Sequence, residues 1–202
     1  LGDVYKRQEY ERGLLKTTPN VSDSEIYKYY SSDYYLSHNR TVSFLSMIYT
    51  IASKYMLKRK ANLISKYIDQ GSFFLDFGCG IGELVLKMKS RGFVSHGVEN
   101  NLNAYNVCLK KNISVFKDLK SLKSKFDLIS CWHSLEHLSD FAATLSKFNK
   151  SINNNGYLIV AVPNHESFDS KYYGKFWAGY DVPRHRFHFS KDALIRLSLI
   201  HI

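Results

Sequence analysis

Apolar residues recur at helical spacing in some segments and form short uninterrupted runs in others. The helical spacing predicts helices over residues 43–68, 81–90, 102–111 and 141–152. The apolar runs predict buried strands over residues 73–77, 93–99, 113–116, 126–132 and 157–164, with a turn at the Asn-rich stretch 153–156. Because strands alternate with helices, the pattern predicts an α/β fold with a parallel sheet. Ligands of such sheets bind beyond the carboxyl ends of the strands.

The composition is that of a globular protein with an ordinary core. The chain has 202 residues, of which 45% are hydrophobic and 23% are charged. It contains no apolar run of about 18 residues and no visible signal peptide, so no membrane span is expected. The three cysteines, Cys79, Cys108 and Cys131, form no CxxC pair. Their spacing favours a reducing compartment, the cytoplasm, and argues against a zinc knuckle.

The formal net charge of +10 raises the question of a nucleic-acid partner. The lysines are scattered along the chain and do not form a dense basic run. A solvated basic surface is therefore favoured over a nucleic-acid interface. The sequence leaves the oligomeric state open.

The two ends of the chain are related at the level of their codons. The codons GAT GTG TAT AAG AGA CAG encode residues 3–8, and their reverse complement encodes residues 197–202. This relation resembles a transposon end used in sequencing libraries, so residues 1–8 and 197–202 are expected to be non-native. The chain also begins without Met, which indicates a piece of a longer reading frame. The expected division is then a helical N-terminal cap region over 9–68 and a truncated cofactor-binding domain over 69–196.

A glycine-rich loop, DFGCGIG at residues 76–82, follows the first predicted buried strand. Glycines at a strand-to-helix turn allow left-handed backbone angles and close approach of a ligand. A dinucleotide fingerprint starting at Gly78 would need its last glycine at Glu83, where a carboxylate also disfavours a pyrophosphate. Glu99 ends the next strand, about 20 residues after the first glycine, where an acidic side chain can accept two ribose hydroxyls. The loop therefore predicts a nucleoside cofactor and disfavours a nicotinamide oxidoreductase.

The pattern acidic-x-Gly-x-Gly-x-Gly, followed by Glu99, resembles the class I S-adenosylmethionine-dependent methyltransferases. The stretches FDLISCWHSLEHL (126–138) and WAGYDVPRHRFHFS (177–190) are together similar to a branch of this family that includes small-molecule O-methyltransferases. The resemblance implies a Rossmann-like parallel sheet flanked by helices, with C-terminal strands missing from this chain. It also implies S-adenosylmethionine as the cofactor, and methyl transfer to an oxygen or nitrogen of a small molecule or cell-surface polymer.

The resemblance also implies which residues hold the cofactor. Asp76 and the glycine backbone would hold the methionine part, Glu99 the ribose, and Asp118 the adenine amine. Cys79 is expected to be a small loop residue and not a nucleophile. The full expected set is Asp76, Gly78, Cys79, Gly80, Gly82, Glu99, Asn100, Asp118 and Trp132.

The motif His133-x-x-Glu136-His137 raises the question of a metal site, because HxxEH is also the inverted zinc-protease motif. That motif needs a long helix, whereas here it follows a strand. Some related ubiquinone-pathway O-methyltransferases hold a divalent ion with Glu-x-x-Glu-His at this place, and this chain has His133 at the first position. A pocket-lining or capping role is therefore favoured, and no metal ion is expected.

The stretch DVPRHRFHF (181–189) follows the fifth predicted strand and is expected to line the acceptor pocket together with His133. Candidate bases are His133, His185 and His188, because imidazole titrates near neutrality. Arg184 is expected to grip a carboxylate or phosphate of the acceptor, and Asp181 to orient Arg184 or His185. The alternative is a structural Asp181–Arg184 ion pair with the neighbouring aromatic residues in the core.

Two further functions remain open at this stage. One is a catalytically inactive cofactor-binding protein of the same fold, because an intact loop and Glu99 do not prove turnover. The other is an RNA or DNA methyltransferase. Amino-methylating nucleic-acid enzymes usually carry an Asn/Asp-Pro-Pro-aromatic run after the fourth strand, where this chain has CWHSLEH. The Tyr-rich stretch before residue 40 is expected to cap the pocket.

Overall fold

The computed structural model describes residues 5–29, 44–122 and 124–201. The strands are β1 (Lys6–Glu11), β2 (Leu14–Thr18), β3 (Phe73–Phe77), β4 (Val94–Val98), β5 (Val115–Phe116), β6 (Phe126–Trp132), β7 (Ile152–Ala161) and β8 (Phe187–Phe189). The α-helices are α1 (Asp23–Ile26), α2 (Phe44–Ile64), α3 (Glu83–Lys89), α4 (Leu102–Lys110), α5 (Phe141–Ser151), α6 (Phe168–Tyr173) and α7 (Lys191–His201). Single 3-10 turns cover Tyr27–Tyr29, Leu119–Ser121, Leu135–His137, Gly174–Phe176 and Ala178–Tyr180.

The chain forms two compact units, which are described separately. The hairpin unit comprises the described residues within 1–31, 132–149 and 160–202. The sheet unit comprises the described residues within 32–131 and 150–159. These units cut across the sequence-based division at residue 68, because both ends of the chain contribute to one of them.

A five-stranded sheet with the order β5-β4-β3-β6-β7 organises the sheet unit. Strand β3 pairs in parallel with both β4 and β6, and β4 pairs in parallel with β5. Its central strands are apolar because both faces are covered: Phe74, Leu75, Leu128 and Ile129 are all fully buried. The predicted α/β class with a parallel sheet flanked by helices is confirmed.

Local sequence explains where two helices of this sheet unit begin. The Asn101 side chain accepts hydrogen bonds from the backbone N–H groups of Asn103 and Ala104, so it caps the start of α4. Helix α3 begins after Gly82, whose left-handed backbone ends the glycine loop. Both helices therefore start directly after a loop at the carboxyl end of a strand.

A second sheet with the order β1-β2-β8 lies in the hairpin unit. Strands β1 and β2 form an antiparallel hairpin, and β2 also pairs with β8, about 170 residues later, through Leu14 and Phe189. The expectation of a helical region over 9–68 is wrong for residues 9–18, which belong to this hairpin. The predicted helical spacing begins at residue 43, whereas Leu14 and Thr17 are buried in a hairpin that pairs with a distant strand.

The expected turn at residues 153–156 is also wrong. Strand β7 runs without interruption from Ile152 to Ala161. The Asn153 side chain donates a hydrogen bond to Asp127 Oδ1 over 2.7 Å, and Asn155 takes a left-handed φ of 63° inside the strand. Asn-rich composition is typical of turns, but here these contacts hold the segment in the sheet.

Two expectations about the chain stay predictions. Non-native ends at residues 1–8 and 197–202 are not tested by the fold, in which Lys6 and Arg7 pair with Thr18 and Thr17. The Tyr-rich cap falls mainly on residues 30–43, which lie outside the described residues.

Among the residues that the structure describes, no helix is both long and apolar enough to cross a membrane.

Candidate functional site

The glycine loop between β3 and α3 is tied to the end of the neighbouring strand. The backbone N–H groups of Gly78 and Cys79 both donate to the Val98 carbonyl, over 2.8 and 3.1 Å. Gly78, Gly80 and Gly82 all take positive φ angles, between 55° and 78°. Side chains rarely adopt this region, so the sequence needs glycine at these turns.

Gly80 and Gly82 differ in what surrounds them. A Cβ built on Gly82 would lie 2.4 Å from Ile113 Cδ1 and 3.1 Å from Cys108 Sγ, so the core leaves no room for it. A Cβ on Gly80 would meet nothing within 4 Å. Gly82 is therefore needed for packing, whereas Gly80 borders open space that a ligand can enter.

Glu99 lies directly after β4 and closes the same loop. Its Oε2 accepts a hydrogen bond from the Gly80 N–H over 2.9 Å, and its Oε1 accepts one from the Asn101 N–H over 2.8 Å. The side chain is only 7% exposed, and burial raises its pKa. Each carboxylate oxygen has a second lone pair for a further donor, so the residue fits a ligand with two hydroxyl groups.

Asp76, at the end of β3, points into the interior of the sheet unit. Its Oδ1 accepts a hydrogen bond from Ser130 Oγ over 2.7 Å, and the residue is 5% exposed. Burial raises the pKa of Asp76 to about 7, although the Ser130 bond and the Lys60 charge oppose the shift. This carboxyl group therefore titrates near neutrality, so a nearby ligand cation would favour its ionised form.

The remaining predicted cofactor residues of the sheet unit differ in their surroundings. Asp118 is exposed and caps the 3-10 turn that follows β5, accepting hydrogen bonds from the Ser121 N–H and Oγ. Asn100 is exposed directly beside Glu99. Hydrogen bonding to Cys108 and burial both raise the pKa of the Cys79 thiol, which supports a structural role for this residue.

His133 begins the predicted acceptor side, in the hairpin unit. It follows β6 directly, takes a left-handed φ of 52°, and donates its backbone N–H to the Ala161 carbonyl over 2.8 Å. Its side chain is 61% exposed, and its Nδ1 lies 3.7 Å from Glu136 Oε1. A non-glycine residue in this backbone region is strained, and such strain is frequent at functional sites.

Glu136, His137 and His185 lie together in the same unit. One ligand atom from each of these three side chains lies within 4.8 Å of the other two. Glu136 Oε1 is 3.9 Å from His185 Nε2, and the two imidazole rings meet edge to face with centroids 4.6 Å apart. The sequence predicted that the DVPRH stretch and His133 line one pocket, but it did not indicate that His185 is the side chain that meets Glu136 and His137.

Asp181 lies close to both Arg184 and His185, which are also predicted to line the acceptor pocket. Its Oδ1 accepts hydrogen bonds from Arg184 Nε and Nη2, over 3.0 and 2.7 Å, and its Oδ2 lies 3.8 Å from His185 Nε2. Asp181 also has a left-handed φ, of 36°. The Asp181–Arg184 pair is thus formed, as both the functional and the structural interpretation require.

A methyltransferase-domain family model matches residues 49–198. The match covers most of the chain, including the glycine loop and the DVPRHRFHF stretch. The chain belongs to this methyltransferase family. Its resemblance to class I S-adenosylmethionine-dependent methyltransferases is thereby confirmed, and the protein is an S-adenosylmethionine-dependent methyltransferase.

Solved methyltransferase structures share the fold. Magnesium protoporphyrin IX methyltransferase from Synechocystis PCC 6803, with bound S-adenosylhomocysteine, is 15% identical, with a TM-score of 0.68 and 89% of each chain covered. A methyltransferase from Archaeoglobus fulgidus is 25% identical with a TM-score of 0.61, over 73% of this chain and 67% of that one. A possible histamine N-methyltransferase from Thermotoga maritima is 20% identical with a TM-score of 0.58, over 78% and 76%. No curated protein matches the sequence.

Some buried polar residues of this methyltransferase were missed by the sequence analysis. Arg186 is 5% exposed, donates from Nη2 to Asp23 Oδ1 over 2.6 Å, and donates its backbone N–H to the Glu136 carbonyl. Thr17 donates its hydroxyl to the His185 carbonyl over 2.6 Å. The alternation of basic and aromatic residues in RHRFHF was the available signal for buried basic side chains.

The surroundings of His188 favour a structural role over the predicted role as a base. Its Nε2 lies 2.9 Å from Thr17 Oγ1, whose own hydrogen is donated to the His185 carbonyl. Nε2 must therefore be the donor in this pair. Burial lowers the pKa of His188 to about 3, with the neighbouring His185, Arg7 and His165 acting in the same direction. These contacts and the low pKa support a structural role for His188.

Proposed function

We propose that this methyltransferase transfers a methyl group to an oxygen or nitrogen of a small-molecule or cell-surface-polymer acceptor that also carries an anionic group. The observation that carries the proposal is the exposed, left-handed His133 in the same unit as the Asp181–Arg184 pair. An imidazole and a guanidinium within one unit suit an acceptor that has one proton to lose and one negative charge to bind. The branch with both the WHSLEH and DVPRH motifs is part of the same proposal.

The cofactor would be held by the glycine loop and by the acidic residues around it. Gly80 borders open space, and the buried Glu99 carboxylate retains acceptor capacity, so both fit a nucleoside ligand. We assign Asp76, Gly78, Cys79, Gly80 and Gly82 to its methionine part. Glu99 and Asn100 are assigned to the ribose, Asp118 to the adenine amine, and Trp132 to the adenine or the sulfonium. The compartment we propose is the cytoplasm, from the cysteine spacing.

When bound, S-adenosylmethionine supplies an electrophilic methyl group on its sulfonium. The task left to the protein is to align the acceptor and to accept its proton. His133 is our first choice for the proton acceptor, because its ring is exposed and Glu136 Oε1 lies 3.7 Å from its Nδ1. Arg184 would bind the acceptor's carboxylate or phosphate, and Asp181 would hold Arg184 in place. His185 was predicted as a second base, but its burial and its bond to the Gly179 carbonyl favour a positioning role.

The proposal is tested by a screen for the acceptor. Release of S-adenosylhomocysteine would be measured with phenols, amines and hydroxy acids, each with and without a carboxylate or phosphate, and with RNA and DNA. We expect turnover with an anionic small molecule. His133→Asn should then lower kcat by roughly 100-fold or more, the usual contribution of a positioned base. Asn is chosen because it tolerates the left-handed backbone.

The control is His96→Asn, which removes an imidazole from the sheet unit, where His96 bonds Ser114. It should leave kcat unchanged, and both variants should bind S-adenosylhomocysteine as the parent chain does. Turnover on RNA or DNA alone would overturn the assignment of the acceptor class. A His133→Asn variant with the kcat of the parent chain would overturn the role of His133.

A further inference from the structure

The buried Glu136 carboxylate lacks the partners that such a group needs. The residue is 1% exposed, and neither side-chain oxygen accepts a hydrogen bond within the part of the chain that the structure describes. The nearest basic nitrogens, His133 Nδ1 and His185 Nε2, lie at 3.7 and 3.9 Å, beyond hydrogen-bond distance. Burying an ionised carboxylate costs several kcal/mol unless a cation compensates it. Glu136 therefore points to a positive charge that binds beside it.

The two neighbouring histidines are oriented in the same way by the backbone. His185 Nδ1 lies 2.9 Å from the Gly179 carbonyl, and His137 Nδ1 lies 3.0 Å from the Arg184 carbonyl. A carbonyl oxygen only accepts hydrogen bonds, so Nδ1 carries the proton in both rings. The neutral form of each ring therefore has its lone pair on Nε2. Metal-ligating histidines use this arrangement, with the other N–H donated to a backbone carbonyl or carboxylate.

The three side chains together offer a mixed donor set. It consists of two imidazole nitrogens and one carboxylate oxygen, on side chains that are buried or half-buried.

We propose that Glu136, His137 and His185 form a binding site for one divalent first-row transition-metal ion. Imidazole ligands suit Zn²⁺, Fe²⁺, Co²⁺ or Ni²⁺, whereas Mg²⁺ and Ca²⁺ prefer oxygen ligands alone. In a tetrahedral site with bonds of about 2.0–2.1 Å, ligand atoms lie roughly 3.4 Å apart. The present separations of up to 4.8 Å would close by small side-chain rotations. Three protein ligands leave a coordination position open for water or for an oxygen of another molecule.

The proposed site departs from the sequence-based expectation that no metal ion binds, which stays a prediction. The HxxEH motif needs a distant third ligand, and in this proposal His185 of the DVPRH stretch takes that place. The proposal does not depend on the proposed acceptor, because it concerns binding of the ion alone.

The test is a Zn²⁺ titration of the full chain, without a histidine tag and after dialysis against a chelator, in competition with a chromophoric chelator. We expect one Zn²⁺ per chain. Co²⁺ bound in its place should show the visible absorption of a low-symmetry nitrogen and oxygen site. Loss of a residue that only hydrogen-bonds to a metal ligand weakens metal binding by roughly 10–100-fold. Glu136→Gln and His185→Gln each remove a ligand itself, so each should weaken Zn²⁺ binding by more than that.

Matched controls remove the same groups elsewhere in the chain. Glu166→Gln removes an exposed carboxylate and His96→Gln removes an imidazole of the sheet unit, and both should bind Zn²⁺ as the parent chain does. Melts in metal-free buffer show whether each variant is folded. Glu136→Gln should melt no lower than the parent chain, because it removes a buried carboxyl group that accepts no hydrogen bond from the described residues. A parent chain that binds no stoichiometric Zn²⁺ would overturn the site, as would unchanged affinity in Glu136→Gln and His185→Gln.

Discussion

The Asp76 carboxyl group links two strands and also has a strongly raised pKa. It lies at the end of β3, where its bond to Ser130 Oγ ties β3 to β6, and burial raises its pKa to about 7. Lys60 and Ser130 favour the ionised form, whereas burial and the nearby Glu99 charge disfavour it. A group balanced in this way responds strongly to pH and to a charged ligand.

Asp76 should make the stability of the ligand-free protein depend on pH. Because its folded pKa of about 7 lies above the unfolded value of 3.8, protonation favours the folded state. The stabilisation is therefore complete below pH 3.8 and is lost as the pH rises to about 7. Its size is at most about 4 kcal/mol, since one pKa unit corresponds to about 1.4 kcal/mol. Asp76→Asn should flatten this part of the stability profile, measured by urea unfolding between pH 4 and 8.

Asp69→Asn makes the same chemical change at an exposed position after α2, and its profile should follow that of the parent chain. An Asp76→Asn profile as steep as that of the parent chain would show that other groups cause the pH dependence.

The loop between β3 and α3 is the element on which cofactor binding depends. Its N–H groups are directed at Val98 and Glu99, so β3, β4 and the loop form one hydrogen-bonded arrangement. Within the loop, the left-handed Gly80 and Gly82 differ in their surroundings. Gly80 borders open space, whereas Gly82 packs against Ile113 and Cys108. Substitution by Ala at each position therefore distinguishes an effect on folding from an effect on cofactor binding.

Gly82→Ala should damage the fold, because its Cβ would lie 2.4 Å from Ile113 Cδ1. The left-handed backbone costs roughly 1–2 kcal/mol for a residue with a side chain, and overpacking adds about 1–3 kcal/mol. Gly80→Ala has the backbone cost alone, so its unfolding temperature should fall less. Its methyl group occupies the open space, and we expect it to lose S-adenosylhomocysteine binding, measured by calorimetry. Undiminished binding by Gly80→Ala would place the cofactor elsewhere.

At the scale of the whole molecule, the two units are built from different kinds of contact. The sheet unit follows the chain from strand to helix to neighbouring strand, whereas β2 and β8 of the hairpin unit join residues far apart in sequence. The family match spans residues 49–198 and so includes parts of both units.

S-adenosylhomocysteine should stabilise the full chain against heat. A ligand at 100 times its dissociation constant adds roughly 2.7 kcal/mol, or about 5–10 °C for a protein of this length. Glu99→Gln should lower the affinity roughly tenfold or more, because hydrogen bonds to a charged acceptor contribute about 1.5–3 kcal/mol each. At the same ligand concentration, the rise in unfolding temperature of Glu99→Gln should be about half that of the parent chain or less. Glu83→Gln, an exposed carboxylate at the start of α3, is the control and should keep the full shift. Equal shifts in both variants would contradict the assignment of Glu99.

Local patterns predicted the cofactor half of the protein well. The apolar runs, the glycine loop and the position of Glu99 depend on periodicity and on covalent distance along the chain, which a sequence displays directly. The α/β class, the cofactor and the methyltransferase family are accordingly confirmed. The individual site residues stay predictions, although Gly80 and Glu99 have the surroundings that a nucleoside ligand requires.

The sequence by itself determined the order of strands and helices from β3 to β7, the glycine loop and the acidic residue that follows β4. Only the tertiary structure decided that β2 pairs with β8, that Asn-rich residues belong to β7, and that His185 is the side chain of the DVPRH stretch that meets Glu136 and His137. These features depend on which distant segments bury one another, and no local period encodes that choice. Burial also decided the chemistry, since it leaves the Glu136 carboxylate without a hydrogen-bond partner among the described residues and raises the pKa of Asp76 towards neutrality.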